Sequence, residues 1–322
     1  MILSMTMFSE EVDPSTRPTS TRLGVWGLGA MGRPMARHLL AAHGALTLHA
    51  RTRRTELIDA GAEWASTPRE LAAASDAILV MLPDLPQLDE HLDGADGLLA
   101  GVRDTGLLLM IGSTSSPVGV QELAARLADT TAGAIRVIDC PVSGGEDGAH
   151  AGRLSIMLGG SPEDTERAAE LLAPCGTPVR LGPLGSGEVA KACNQLVVAA
   201  TILALGEATE LAARAGVDPA TLWDLLGGGY AGSRLLESRR DKLVAGDDSP
   251  SGVAEYMVKD LRFAADIAAA TDTRPALLPA LRDAFDEIVE RELGGRDITV
   301  TRRFTAERSR DTDGATGTDA RP

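Results

Sequence analysis

Three polar residues with helical spacing are the first candidates for chemistry in this chain. Lys191, Asn194 and Gln195 stand at positions i, i+3 and i+4, which places an ammonium and two amides on one face of a helix. A lysine near a helix start is most often a solvated surface charge. Here a long apolar run follows directly. We therefore expect a buried lysine with a lowered pKa, suited to proton transfer near neutral pH.

These residues belong to a stretch that predicts one long helix. From Glu188 to Ala215 there is no proline and a single glycine, Gly206. About 28 residues at 1.5 Å rise give roughly 42 Å, enough to run along the seam between two domains. The uncharged part is too short, and too polar at Asn194 and Gln195, to predict a membrane span.

A glycine-rich turn occurs near the start of the chain. Residues 23–26 are apolar, residues 27–32 read Gly-Leu-Gly-Ala-Met-Gly, and apolar residues then recur at helical spacing. In a strand, turn and helix of this kind, backbone amides can hold a pyrophosphate and the last glycine lets helix and strand pack closely. The pattern predicts a dinucleotide site at Gly27, Leu28, Gly29, Ala30, Met31 and Gly32.

The end of the second predicted strand indicates which dinucleotide binds. Ala50 stands where an NAD site normally has an acidic residue for the ribose hydroxyls. Arg51, followed by Thr52, offers a guanidinium to a 2′-phosphate. We expect NADP, with NAD possible, because Arg51, Arg53 and Arg54 also read as a solvated basic run.

The order of predicted elements indicates two domains. Strands alternate with helices as far as residue 181, and everything beyond residue 183 is helical. This predicts an α/β protein with an N-terminal Rossmann-type doubly wound sheet and a C-terminal all-α domain, joined by the long interdomain helix. The expected divisions are a disordered leader (1–21), an NAD(P)-binding domain (22–183), an all-helical substrate and oligomerisation domain (184–300) and a disordered tail (301–322).

Composition narrows the class of ligand. The net charge of −15 and pI near 4.8 exclude nucleic acid and an anionic membrane as main partners, so an anionic ligand must meet a local cluster of donors. The three cysteines are widely spaced and odd in number, which indicates neither a disulfide framework nor a metal site. An acidic N-terminus lacks the features of a signal peptide, and we expect a cytoplasmic protein.

Further motifs, together with the glycine turn, resemble one enzyme family. Residues 81–84 read Met-Leu-Pro-Asp, residues 139–145 read Asp-Cys-Pro-Val-Ser-Gly-Gly, and Gly-Ser-Gly at 185–187 leads to Lys191-x-x-Asn194. This pattern closely resembles the β-hydroxyacid dehydrogenases, which include 3-hydroxyisobutyrate dehydrogenase, tartronate semialdehyde reductase and glyoxylate/succinic semialdehyde reductases. The resemblance spans about Leu23 to Thr299.

The resemblance implies a function for each matching residue. Lys191 would be the general acid/base, and Asn194 and Gln195 would orient the substrate. Substrate contacts are also implied at Ser143, Gly144 and Gly145, which would hold a carboxylate, and at Lys259, near both ligands. Cofactor contacts are implied at Met81, Leu82, Pro83 and Thr114.

Two features are similar to the tartronate semialdehyde reductase branch, and two depart from the family pattern. Gln195 after Asn194 and the Gly-Gly-Tyr-Ala-Gly-Ser run at 228–233 fit that branch. However, Ile111 stands where relatives often have the acid of Asp-x-Ser-Thr, and Gln195 is longer than the more common Asn. The exact substrate therefore stays open.

The leading expectation is an NADP-dependent oxidoreductase that interconverts a small β-hydroxy acid and its semialdehyde, most like 2-hydroxy-3-oxopropionate (tartronate semialdehyde) reductase. The alternatives are an NAD-dependent 3-hydroxyisobutyrate-type dehydrogenase and a non-catalytic NADPH-binding module. Imine reductases share the fold but generally lack the lysine that stands here at Lys191. We expect a homodimer or homotetramer, because the long apolar helix offers more surface than a small helical domain covers.

Overall fold

The computed structural model describes residues 21–316, and side chains as far as residue 310. The predicted disordered leader therefore lies outside the described residues, apart from Thr21.

Nine strands form one sheet in the described part of the chain. They are β1 (Leu23–Trp26), β2 (Thr47–His49), β3 (Glu63–Trp64), β4 (Ala77–Val80), β5 (Leu107–Ile111), β6 (Ile135–Asp139), β7 (Val142–Ser143), β8 (Leu154–Gly159) and β9 (Gly176–Gly182). Strands β3-β2-β1-β4-β5-β6 are parallel and follow the Rossmann order. Beyond them, β6 and β7 pair antiparallel with β8, and β9 extends the sheet parallel to β8. The predicted doubly wound sheet is confirmed.

Helices cover the sheet because its central strands are apolar on both faces. Every residue of β1, β4 and β5 is buried. The helices are α1 (Gly32–His43), α2 (Thr55–Asp59), α3 (Pro68–Ala74), α4 (Leu85–Asp89), α5 (Pro117–Thr130), α6 (Gly145–His150) and α7 (Pro162–Leu172). Short 3-10 helices occupy Leu98–Gly101 and Ala173–Cys175. Five short elements, β3, α3, α4, β7 and α6, did not emerge from the sequence patterns.

The rest of the described chain is helical, as predicted. It comprises α8 (Ser186–Arg214), α9 (Pro219–Leu226), α10 (Arg234–Ala245), α11 (Tyr256–Ala270), α12 (Leu278–Glu290), a 3-10 helix (Ile298–Val300) and α13 (Thr301–Thr316). Helix α8 runs through this domain, packs against α10, α11 and α13, and also reaches the sheet at β8. It thus joins the two domains.

The prediction of a disordered tail is wrong for Thr301–Thr316, because these residues form α13, which completes the second core. Thr301 is fully buried, and its hydroxyl donates to the carbonyl of Ile202 on α8 at 3.0 Å. Phe304 is 1% exposed within the helical core. A Cβ at Gly206 would lie 2.4 Å from Oγ1 of Thr301, so this glycine in the middle of α8 allows the close packing. Residues 317–322 lie outside the described part.

Length and hydropathy alone would allow α8 to span a bilayer. Its polar residues, however, are used within the fold. Glu188, Lys191 and Gln195 are buried, and Gln195 bonds to Asp260 on α11. These contacts indicate a core helix, in agreement with the sequence prediction.

Candidate active site

The glycine turn between β1 and α1 has the backbone shape of a phosphate-binding loop. Gly27 has φ of +101°, and a Cβ there would lie 2.4 Å from the carbonyl oxygen of Met81. A Cβ at Gly32 would lie 2.0 Å from the carbonyl oxygen of Gly27, which only glycine permits. At Gly29 a Cβ would meet nothing within 4 Å, so this backbone is open to a ligand. These residues fit a dinucleotide pyrophosphate.

The remaining predicted cofactor residues surround this turn. Leu28 is buried beneath it, whereas Ala30 is exposed and Met31 half-buried. Thr52, which follows β2, is exposed. After β4 come Met81, whose amide donates to the Trp26 carbonyl at 2.7 Å, then half-buried Leu82 and exposed Pro83.

Arg51 lies free at the end of β2. The side chain is exposed and makes no hydrogen bond or ion pair with any described residue. The neighbouring Arg53 instead stacks over Trp64, 5.8 Å from the ring centroid. Ala50 packs against the sheet core. The guanidinium is thus accessible to a ligand, and its contact with a 2′-phosphate stays a prediction.

A continuous chain of hydrogen bonds links both domains at Lys191. The Ser143 hydroxyl at the end of β7 donates to Oδ1 of Asn194 at 3.0 Å. Oε1 of Gln195 accepts from both Asn194 Nδ2, at 2.9 Å, and Lys191 Nζ, at 3.1 Å. Nε2 of Gln195 donates to Oδ2 of Asp260 on α11 at 2.5 Å. Asn194 thus contacts Ser143 directly, and Gln195 and Lys191 are joined to Ser143 through it.

Lys191 lies in a buried environment that disfavours the charged form of its side chain. It is 8% exposed, and burial lowers the pKa of its ammonium below the ordinary 10.5. Asp260 and Glu188 oppose this shift by favouring the charged form, while Lys259 adds to it. Only one of its three N–H donors has a partner among the described residues. The others are available to a bound oxygen.

Gly144 and Gly145 follow Ser143 in conformations that favour glycine. Their φ angles are +135° and +64°. Both are exposed, and a Cβ at Gly145 would meet nothing within 4 Å. Backbone amides beside the Ser143 hydroxyl are therefore accessible to a ligand.

Lys259 on α11 connects the helical domain to the loop after β5. Its Nζ donates to the carbonyl of Thr114 and lies 3.2 Å from Oδ1 of Asp260. The ammonium also stands 5.0 Å from the Phe263 ring centroid. Thr114 and Lys259, which the sequence treated as separate candidates, are thus in contact.

Sequence reasoning assigned no function to two buried carboxylates beside this network, although Asp139 opens the motif at residues 139–145. Asp139, at the end of β6, is fully buried and accepts the amides of Gly185 and Glu188 at 2.8 Å each, so it caps the start of α8. A Cβ at Gly187 would lie 2.8 Å from its Oδ2, which explains why glycine stands there. Burial raises the pKa of Asp139 despite these bonds.

The second carboxylate is Glu188, which is 1% exposed. Its Oε2 accepts the Ser115 amide at 3.0 Å, and its Oε1 has no hydrogen-bond partner in the described chain. Burial, with a smaller contribution from Asp139, raises its pKa well above the ordinary value. Glu188 ties the loop that carries Thr114 to the helix that carries Lys191. The only signal in the sequence was spacing: Glu188 lies three residues before Lys191, which puts the two charged residues on one face of the helix.

Together, the Rossmann sheet, the open glycine turn and the buried lysine between the domains define a nicotinamide-dependent oxidoreductase. Comparisons with known proteins agree. Residues 22–185 match the family model described as the NAD binding domain of 6-phosphogluconate dehydrogenase, and residues 185–304 match that of the NAD-binding domain of NADP-dependent 3-hydroxyisobutyrate dehydrogenase.

Individual relatives cover most of the chain. The probable 3-hydroxyisobutyrate dehydrogenase-like 2 of Arabidopsis thaliana is 35% identical over 79% of this chain and 84% of its own. The 2-hydroxy-3-oxopropionate reductase of Escherichia coli K12 is 37% identical over 76% of this chain and 82% of its own. The crystal structure of 3-hydroxyisobutyrate dehydrogenase from Salmonella typhimurium matches with a TM-score of 0.79 and 29% identity, over 88% of this chain and 99% of that one. The chain belongs to the β-hydroxyacid dehydrogenase family.

Proposed function

We propose that this enzyme is an NADP-dependent reductase of a small semialdehyde acid, most like tartronate semialdehyde, that also catalyses the reverse oxidation of the β-hydroxy acid. The observation that carries the proposal is the buried ammonium of Lys191, joined through Gln195 and Asn194 to the Ser143 hydroxyl. A proton donor and an acid-binding segment therefore lie in one cluster.

The chain's own residues would act on the two ends of the substrate. Bound NADPH would supply the hydride. Reduction leaves a developing alkoxide, and the Lys191 ammonium, with its lowered pKa, would give it a proton. The amides of Gly144 and Gly145 would hold the carboxylate, together with the Ser143 hydroxyl once its proton turns from Asn194 Oδ1 to the substrate. Gln195 would fix the lysine, since its own amide is anchored by Asp260.

The preference for NADP rests on the end of β2. Arg51 is exposed and unpaired within the described residues, which leaves its guanidinium free for a bidentate contact with a 2′-phosphate. Ala50 offers no carboxylate to a 2′-hydroxyl. The second matching family model is likewise that of an NADP-dependent enzyme.

The substrate assignment is tested by a screen of C3 to C5 semialdehydes and hydroxy acids with NADPH, NADH and their oxidised forms. We expect the highest kcat/KM for tartronate semialdehyde with NADPH. A preference for 3-hydroxyisobutyrate with NAD would establish the alternative function, which the names of several relatives also favour. Binding of NADPH without turnover of any acid would establish a non-catalytic module.

We further propose a homo-oligomer assembled on one face of α8. Five residues define this exposed α8 face: Val189, Cys193, Val197, Ala204 and Leu211. They fall on one side of the helix, and Val197 and Leu211 are 64% and 71% exposed. An apolar stripe of this kind is typical of an interface between identical chains.

Sedimentation at micromolar protein concentration tests this proposal. The wild type should be a dimer or tetramer, and Val197→Glu combined with Leu211→Glu should shift it toward monomer. Val118→Glu, at a residue that is 56% exposed on α5, is the matched control and should leave assembly intact. A monomeric wild type would refute the proposal.

A further inference from the structure

Arg239 on α10 is a largely buried guanidinium whose donors are poorly used. Its side chain is 15% exposed. Nη1 lies 3.7 Å from Oδ2 of Asp147 and Nε lies 3.7 Å from Oδ1 of Asp297, both beyond hydrogen-bond distance. Nε is buried without a hydrogen-bond partner in the described chain. Among the residues that the structure describes, its one hydrogen bond runs from Nη1 to the carbonyl of Ser238 and is long at 3.4 Å.

The two neighbouring carboxylates leave this guanidinium available. Asp297 is fully buried, and its oxygens already accept from the Ser251 hydroxyl, the Gly252 amide at 2.9 Å and the Thr299 amide at 3.0 Å. The Asp147 side chain is 79% exposed, so water competes for it and the contact is weak. Neither partner uses the planar fork of donors that an arginine offers to a carboxylate.

Arg239 lies near one of the segments of the candidate active site. Asp147 lies in α6, two residues after Gly145, in the segment that begins with Ser143. Arg239 belongs to the helical domain, so its guanidinium reaches across the domain boundary toward that segment. The same segment is joined through Ser143 and Asn194 to the Lys191 network. In a chain of net charge −15, a guanidinium thus lies 3.7 Å from Asp147 of the segment to which the resemblance assigns carboxylate binding.

We propose that Arg239 is a substrate-specificity residue, whose guanidinium exchanges its long contact with Asp147 for a paired contact with the carboxylate of the bound hydroxy acid or semialdehyde. The inference rests on the proposed function and extends it. It makes Arg239 the residue that selects acids over neutral aldehydes of the same size. The Ser143 segment would bind the same carboxylate from the opposite domain, so the substrate would bridge the two domains.

The rival explanation is that the contact between Arg239 and Asp147 only holds the domains together. The two explanations predict different effects of removing Asp147 on the binding of the acid. If Asp147 competes with the substrate, its removal should favour acid binding, whereas removal of Arg239 should weaken it. If the pair is structural, both removals should impair every substrate in parallel.

The experiment compares tartronate semialdehyde with glyceraldehyde, a neutral aldehyde of equal carbon number. For Arg239→Gln we expect kcat/KM on the acid to fall about 10- to 100-fold, the range for loss of a charged hydrogen bond, with glyceraldehyde turnover changed by less than about 3-fold. Arg239→Lys should retain part of the acid preference, because it keeps the charge but loses the fork. Asp147→Asn should lower KM for the acid about 2- to 5-fold and leave glyceraldehyde unchanged.

Arg240→Gln is the matched control. It removes the same charge from the next position of α10, where Arg240 pairs with Asp224 and Asp241 inside the helical domain. An equal loss of acid preference in Arg240→Gln, or parallel losses on both substrates in Arg239→Gln and Asp147→Asn, would overturn the proposal.

A binding measurement separates this proposal from the proposed function. A wild type that turns over no semialdehyde acid refutes the function. Arg239 is then judged by calorimetric titration of glycerate into NADP⁺-loaded protein. A weaker Kd in Arg239→Gln with an unchanged Kd in Arg240→Gln supports the role of Arg239, and no binding by the wild type or equal Kd values overturn it.

Discussion

Replacement of Lys191 is the most direct test of the proposed chemistry. Loss of general acid/base catalysis lowers kcat on the order of 10² to 10⁴-fold, which corresponds to about 3 to 5 kcal/mol of transition-state stabilisation. We expect Lys191→Ala to fall in this range. Lys191→Arg should be nearly as inactive, because a guanidinium keeps the charge but does not release a proton near neutral pH.

The fold and the cofactor site should survive this change. When the lysine is removed, Oε1 of Gln195 still accepts from Asn194 at 2.9 Å, so no acceptor is left without a partner. The lost hydrogen bond, donated by a charged group, contributes roughly 1.5 to 3 kcal/mol, the smaller part of a typical unfolding free energy of about 5 to 15 kcal/mol. The glycine turn belongs to another part of the sheet, so the Kd for NADPH should stay within about 3-fold of wild type.

The pH dependence gives an independent signature of the same lysine. Reduction requires the ammonium, so kcat for reduction should fall as pH rises through the pKa of Lys191, and kcat for oxidation should rise through the same pKa. Because burial lowers this pKa, both limbs should appear below the ordinary value of 10.5.

The assay pairs fluorescence titration of NADPH with steady-state turnover from pH 6 to 10. Lys242→Ala, which loses a lysine bound to Ser249 outside the site, is the control. Near-normal turnover in Lys191→Ala would refute the mechanism. Restored turnover in Lys191→Arg would leave the lysine an electrostatic function only.

Three further predictions concern the cofactor, the buried carboxylate and the last helix. Arg51→Ala should lower the NADPH/NADH ratio of kcat/KM about 10-fold or more, as expected for loss of a charged contact, while Arg53→Ala, which removes a side chain stacked on Trp64, should not; an unchanged ratio in Arg51→Ala contradicts the NADP assignment. The pKa of Glu188 is higher in the folded chain than in the unfolded chain. As pH rises above about 4.5, the unfolded chain therefore loses the Glu188 proton at a lower pH than the folded chain does. The wild type loses stability over this range, until pH passes the folded-state pKa. Urea unfolding from pH 4 to 9 should therefore show that Glu188→Gln gains stability relative to wild type as pH rises. Glu122→Gln, at an exposed position, is the control. If wild type and Glu188→Gln have parallel curves of unfolding free energy against pH, the raised pKa of Glu188 is contradicted. Phe304→Ala should cost about 3 to 5 kcal/mol of unfolding free energy, measured by urea denaturation, and a cost under about 1 kcal/mol would show that α13 does not complete the helical core.

Short-range patterns in the sequence determined the sheet, the glycine turn and the lysine face. A strand, a turn and a helix are encoded within about 20 residues, and helical spacing alone puts Lys191, Asn194 and Gln195 on one face. The tail shows the limit of this reasoning. Its composition is polar, but one phenylalanine and one threonine fit a space on α8 that only the folded domain creates.

The contacts that complete the site were decided by the tertiary structure alone. Gln195 meets Asp260 across 65 residues, and Ser115 meets Glu188 across 73. No local periodicity encodes such pairs, because each depends on how two separately folded elements are placed. Their burial also sets the proton affinities on which the chemistry depends, since desolvation acts on Lys191 and Glu188 only once the two domains have closed around them.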